Sequence, residues 1–234
     1  MAEFHKLIAS LRDALERRRA PAHHDGAADA PHVVVPVAET ARRAELFSAF
    51  ARELEALGGR FLGTLTPAET AARIAEVAGS LKTKTAAVGE GVVNDPAPIA
   101  AALERAGIEV MRTAAVNDDQ ARAALRARFA QCDLAVVEAH YAIASTGTLV
   151  MVATPARPSS LTLLPPANVI IVDAARMKPD LAAALAALGA DAIASHRVAL
   201  VTGPSRTADI EKRIVRGVHG PRELFVAVVW HSND

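Results

Sequence analysis

Between residues 38 and 138 the apolar residues switch repeatedly between a helical and a strand period, and beyond residue 138 that alternation stops. Ala38 to Leu57 sets Leu46, Phe47, Phe50, Leu54 and Leu57 along a helix, and Gly58-Gly59 provides its stop. A short strand over 60–62 follows, and Thr66-Pro67 opens a second helix with proline at its first position. The pattern continues with strand 85–88, helix 96–106, strand 108–112, helix 118–130 and the apolar strand from Asp133 to Glu138. Parallel strands need a crossover long enough to hold a helix, and the crossovers keep one hand. Repeated units of this length therefore specify a parallel sheet with helices on both faces.

After residue 138 the strand-like segments are Gly147 to Thr154, Val169 to Val172, Val198 to Thr202 and Leu224 to Trp230. The first two are joined by Pro155 to Ala167, which contains Pro165-Pro166 and is expected to hold no helix. Consecutive strands without a helical crossover point to a mixed sheet, or to a second small sheet beside the parallel one. One helix over 179–188 and a shorter one after Ser205 are expected to complete the body. The fold class is thus α/β. It is a three-layer, mainly parallel sheet with helices on both faces and a mixed or antiparallel strand region in the C-terminal half.

Residues 1–19 place Phe4, Leu7, Ile8, Leu11 and Leu15 at helical spacing with charges between them, which suits an amphipathic helix rather than a signal peptide. Residues 20–32 read as a flexible linker, and residues 33–234 as a single α/β domain. The adjacent pair His23-His24 lacks a third ligand for a metal. The stretch from Leu181 to Ala194 is too short and too interrupted to span a bilayer. Lys and Arg total 26 against 26 Asp and Glu, so the footprint of a generic nucleic-acid binder is missing. Aromatic residues make up only 3% of the chain, which also argues against base-stacking platforms. The lone cysteine, Cys132, excludes an internal disulfide and any cluster held by cysteines of this chain alone, and points to the reducing cytoplasm.

Two stretches carry candidate chemistry. In Val198 to Arg222 an apolar strand runs into Thr202-Gly203-Pro204-Ser205, after which a helix is expected near Ser205 or Thr207. A turn feeding a helix N-terminus gathers unpaired N–H groups, and Ser205, Arg206 and Thr207 add hydroxyls and a fixed charge suited to a carboxylate or phosphate. The same residues also suit a plain helix cap. In the second stretch Glu138 ends a strand, and Ser145-Thr146-Gly147-Thr148 makes a hydroxyl-rich turn. Ligands of open α/β sheets bind outside strand C-termini where the topology switches, and the rhythm changes here. Gly89-Glu90-Gly91 also follows a strand, but Asn94 stands where a dinucleotide fingerprint needs its third glycine. His140, His196 and His219 are candidate bases that no spacing pairs with a nucleophile. Cys132 reads as inert packing.

Taken together, AIASTGTLVM, SLTLLPPANVIIVD and TGPSRTADIEKRIVRGVHGPRELFVAVV resemble the lactate-utilisation protein C family, which carries the LUD domain. The resemblance covers roughly residues 138 to 230, and the last motif is long and specific. It implies a fold similar to the sugar-phosphate isomerase and CoA-transferase (NagB/RpiA-like) superfamily. It also implies a role in oxidising L-lactate to pyruvate beside two iron–sulfur partner proteins. In that role the chain is the component without clusters; no cofactor of its own is expected, and the iron–sulfur clusters belong to the partners. The expected ligand is a small anion, held by Thr146, Gly147, Thr148, Gly203, Ser205, Arg206, Thr207 and His219. Where family members often carry glutamate, this sequence has Ser145, which cannot form the acyl anhydride of a CoA transferase. Glu138 is the nearby substitute. The alternatives are a stand-alone enzyme of that superfamily acting on an anionic metabolite, and a structural scaffold.

Overall fold

The structure, a computed structural model, describes residues 37–116, 118–188, 197–208, 214–216 and 220–231. The expected N-terminal helix over 1–19, the linker over 20–32, His196 and His219 lie outside these residues.

Helix α1 (Val37–Ala56) ends where Gly58 N–H bonds the Glu55 carbonyl and Gly59 N–H the Leu54 carbonyl. Strand β1 (Arg60–Leu65) leads to helix α2 (Pro67–Ser80), whose start is closed by a capping box. Glu69 N–H donates to the Thr66 hydroxyl, and Thr66 N–H donates back to the Glu69 carboxylate. Strand β2 (Thr85–Val88), helix α3 (Ala97–Arg105), strand β3 (Glu109–Arg112), helix α4 (Asp119–Phe129) and strand β4 (Leu134–Glu138) continue the alternation as expected.

Strands β5 (Tyr141–Ile143) and β6 (Thr148–Val152) then form a hairpin, followed by the short helix α5 (Ser159–Leu163) and strand β7 (Ala167–Asp173). The segment from Pro155 to Ala167 thus does contain a helix, contrary to the sequence expectation. Pro158 precedes its first turn in extended backbone, so the prolines bracket the helix rather than exclude it. Strand β8 (Met177–Lys178), helix α6 (Leu181–Ala187), strand β9 (Val198–Val201), strands β10 (Arg206–Ala208) and β11 (Ile214–Arg216), and strand β12 (Glu223–Val229) complete the order.

Six strands form a parallel sheet in the order β1-β12-β7-β4-β2-β3. Successive residues of β4 pack on opposite faces. Leu134 and Val136 join a core with Ile74 of α2 and Leu103 of α3, while Ala135 and Val137 join one with Phe50 and Leu54 of α1 and Phe129 next to them. Strict alternation of buried side chains is what a sheet covered on both faces produces. A second, mixed sheet in the order β8-β5-β6-β9 lies in the C-terminal half as expected; of the strands expected after residue 138, those over 147–154 and 198–202 belong to it, whereas those over 169–172 and 224–230 join the parallel sheet.

The topology also fixes where a crevice opens. From β2 the chain steps outward to β3 through α3 on one face. From β3 it steps back over β2 to β4 through α4 on the other face. With crossovers of one hand, reversing direction changes the face, and the loops at the C-terminal ends of β2 and β4 part company there.

Candidate functional site

The crevice beside β4 is built around Glu138, the last residue of that strand, which is only 3% exposed. Its Oε2 accepts the backbone N–H groups of Val92 (2.7 Å), Val93 (3.2 Å) and Asn94 (3.0 Å). Its Oε1 accepts Asn94 Nδ2 at 2.8 Å and shares the Val93 N–H at 3.2 Å. Three successive amides aimed at one carboxylate form an anion-binding nest, here filled by the protein itself. Gly91 allows this approach, because a Cβ there would lie 3.3 Å from Glu138 Oε2 and within clash distance of the Asn94 carbonyl.

Because Asn94 donates its amide nitrogen to Glu138, its Oδ1 faces the opposite way, 2.9 Å from His231 Nε2 just past β12. The same nitrogen lies 3.4 Å from Oδ2 of Asp173, which ends β7 and is 4% exposed. Asp173 Oδ1 is anchored by the Ala175 N–H at 2.9 Å. With an amide oxygen and a carboxylate oxygen both facing it, Nε2 is the ring nitrogen suited to carry the proton. A polar chain Glu138–Asn94–His231–Asp173 therefore spans the ends of three parallel strands and the loop after β2. His231 lines a cavity of about 160 Å³ whose other walls include Thr70, Asp95, Ile171 and Val229. A carboxylate-oriented histidine on a cavity is chemically able to take a proton from a bound hydroxyl.

The loops expected to hold the ligand are placed differently. Thr146, Thr148 and Thr202 do come together: the hydroxyls of Thr146 and Thr148 are 2.8 Å apart, as are those of Thr148 and Thr202. The glycines between them face helix α1. Gly147 has φ +61, and a Cβ there would sit 2.4 Å from Leu54 N. Gly203 has φ +92, with a Cβ 3.1 Å from the Leu57 carbonyl oxygen. Both turns need glycine because the end of α1 rests on them, so their sequence signature has a packing cause.

Ser205 donates its N–H to the Pro221 carbonyl at 2.9 Å. The backbone of Arg206, Thr207 and Ala208 then runs as β10, paired antiparallel with β11 through Arg206↔Arg216, Thr207↔Val215 and Ala208↔Ile214. The helix expected to begin near Ser205 or Thr207 is therefore replaced by a hairpin arm. A turn of small polar residues after a strand suits either continuation, and the cross-strand ladder decides it. His140 is buried, its N–H bonded to the Val150 carbonyl. Cys132 is buried too, and desolvation pushes its thiol pKa up, which keeps it protonated.

Sequence reasoning noted Glu138 and Asn94 but passed over their partnership, and it missed Asp173 and His231. A carboxylate closing an apolar strand, as in Val169 to Asp173, was the available cue.

The sequence pattern described as the LUD domain matches residues 47–229. An uncharacterized protein of Neisseria meningitidis serogroup B is 33% identical over 103 residues, covering 43% of this chain and 44% of that protein. Lactate utilization protein C of Halalkalibacterium halodurans is 31% identical over 103 residues, covering 42% of this chain and 45% of the relative. In these alignments the chain spans less than half the length of the relatives it matches. Among solved structures, a DUF162 family protein from Deinococcus radiodurans is similar with a TM-score of 0.59 at 22% identity. That similarity covers 80% of this chain and 98% of the other, and it shows a shared α/β fold. No helix among the described residues is long and apolar enough to cross a membrane.

Proposed function

The chain belongs to the LUD-domain family, and from that membership we propose that it serves in lactate utilisation as a component without clusters of its own. In this reading it acts in the cytoplasm beside two iron–sulfur proteins that oxidise L-lactate to pyruvate, and it binds a small anion. The observation that carries the reading is the family match from 47 to 229, which takes in both sheets and Glu138, Asn94 and Asp173 of the crevice beside β4, with His231 just beyond it. The geometry favours binding over covalent transfer. A glutamate nucleophile needs an oxygen lone pair pointing at the substrate, and both oxygens of Glu138 are occupied by N–H donors.

The test is affinity purification of the tagged chain from its host grown on lactate, with turnover measured in the eluate. Co-purifying iron–sulfur proteins with lactate-dependent activity support the reading. A solitary chain and an inactive eluate overturn it.

One observation favours a second reading, that of an enzyme acting alone on an anionic metabolite. His231, oriented by Asp173 and facing a cavity, has the arrangement of a general base. Turnover of a hydroxy acid or phosphorylated sugar by the purified chain, lost in His231→Gln, would establish that reading.

A further inference from the structure

We propose that a second cavity, whose lining includes neither Glu138 nor His231, is a binding site for an organic anion carrying two or more negative charges. The cavity lies between α4, the loop joining β6 to α5, and the residue before β9, and encloses about 400 Å³. Its volume falls in the range of small-molecule sites, roughly 300–1,000 Å³. Arg122, Arg126 and Arg197 line it, and among the described residues none of the lining is acidic.

Three arginines lining one cavity are not a by-product of a basic composition, because the chain has zero formal net charge. Arg122 is held by Asp119 at 2.7 Å, from outside the cavity wall. Arg122 and Arg126 are also four residues apart on one helix, a spacing that sets like charges side by side and that Asp119 offsets in part. Planar guanidinium forks bind carboxylate and phosphoryl oxygens bidentately, which suits such an anion.

The remaining walls define the ligand further. Thr154, Ser159 and Ser160 bring hydroxyls to the cavity. The Thr154 hydroxyl oxygen accepts the Arg157 N–H at 3.1 Å, which leaves its own hydrogen to donate. Val116, Leu125, Pro155 and Pro158 supply apolar surface, so the site has room for a carbon skeleton beside the charged groups. L-Lactate, with one charge and three carbons, underfills both the volume and the charge. The inference is therefore independent of the lactate reading, and either can fail without the other.

The experiment is isothermal titration of the full chain at constant ionic strength with pyrophosphate, citrate and L-lactate as probes. Pyrophosphate or citrate should bind saturably and more tightly than L-lactate. Arg126→Ala and Arg197→Ala should each weaken that binding at least tenfold, with Arg126→Lys in between. Arg126 is exposed on α4, so its variants should keep the wild-type melting temperature, checked alongside. Preference for pyrophosphate assigns a phosphorylated ligand, and preference for citrate a polycarboxylate; both support the site. Failure of both probes to bind at millimolar concentration overturns it. So does binding unchanged in Arg126→Ala, or L-lactate binding as tightly as either polyvalent probe.

Discussion

Strand β4 has a carboxylate at each end, and each holds a loop that adjoins β2. Asp133, just before the strand, accepts the N–H groups of Lys84 (2.8 Å) and Thr85 (3.0 Å) where β2 begins. Glu138, at the far end, accepts those of Val92, Val93 and Asn94 beyond the close of β2. The bonds are alike and the surroundings are not. Asp133 is exposed, whereas Glu138 is closed off from solvent. At the exposed end water can replace a lost acceptor, and at the buried end it cannot without opening the loop. The comparison also bears on function. Ligands of such sheets bind at strand C-termini, yet the carboxylate placed there on β4 is fully used in holding the chain. Asp173, ending the adjacent strand β7, instead faces a half-exposed histidine. Position at a strand end does not make a carboxylate reactive; its partners decide.

If the two ends differ as described, the largest effect belongs to Glu138→Ala. It strands three backbone donors and the Asn94 amide in a part-buried loop, and should cost about 2–4 kcal/mol in urea unfolding. Glu138→Gln keeps one accepting oxygen but turns an NH₂ group toward N–H donors, so about 1–3 kcal/mol is expected. It also releases the Asn94 side chain that fixes the His231 proton. The informative comparison is stability against activity in the glutamine variant. Wild-type stability with loss of lactate-dependent turnover would make Glu138 a chemical group and end the analogy with Asp133.

The same contrast explains what could be read from the sequence. The alternation of β4 is local, so its span and its two-sided burial were legible from Leu134, Ala135, Val136 and Val137 alone. So was the start of α2, where Thr66, Pro67 and Glu69 form a self-contained signal. Strands β5 and β8, three and two residues long, are too short to show a period, and only their ladder defines them. The site was less visible for the same reason. The donors to Glu138 lie 44 to 46 residues before it, and Asn94 and His231 are 137 residues apart. The glycines at 147 and 203 stood out because glycine is conspicuous. What they accommodate is the end of a helix some ninety and more residues earlier, and no local pattern separates that cause from ligand binding.

The smallest effect is expected at the exposed end. Asn at position 133 still offers one oxygen to the Lys84 and Thr85 N–H groups, so Asp133→Asn should cost about 0.5–1 kcal/mol near neutral pH. Its pH dependence sharpens the comparison more than its size. Burial alone would raise the Asp133 pKa; the Lys84 and Thr85 backbone bonds, the Thr85 hydroxyl and the Lys84 charge outweigh it, and the carboxyl titrates below its ordinary value. A carboxylate with a lower pKa in the folded state than in the unfolded chain binds fewer protons when folded. Its contribution is therefore complete above the unfolded pKa of about 4 and is lost as pH falls through the lower, folded value. Glu69 and Asp119 also titrate below their ordinary values, so the quantity to follow is the difference between wild type and Asp133→Asn. Urea unfolding from pH 6 down to pH 3 should show that difference constant at first and then shrinking. A difference that stays constant through the acid range would mean that Asp133 acts by shape alone, and its likeness to Glu138 would reduce to geometry.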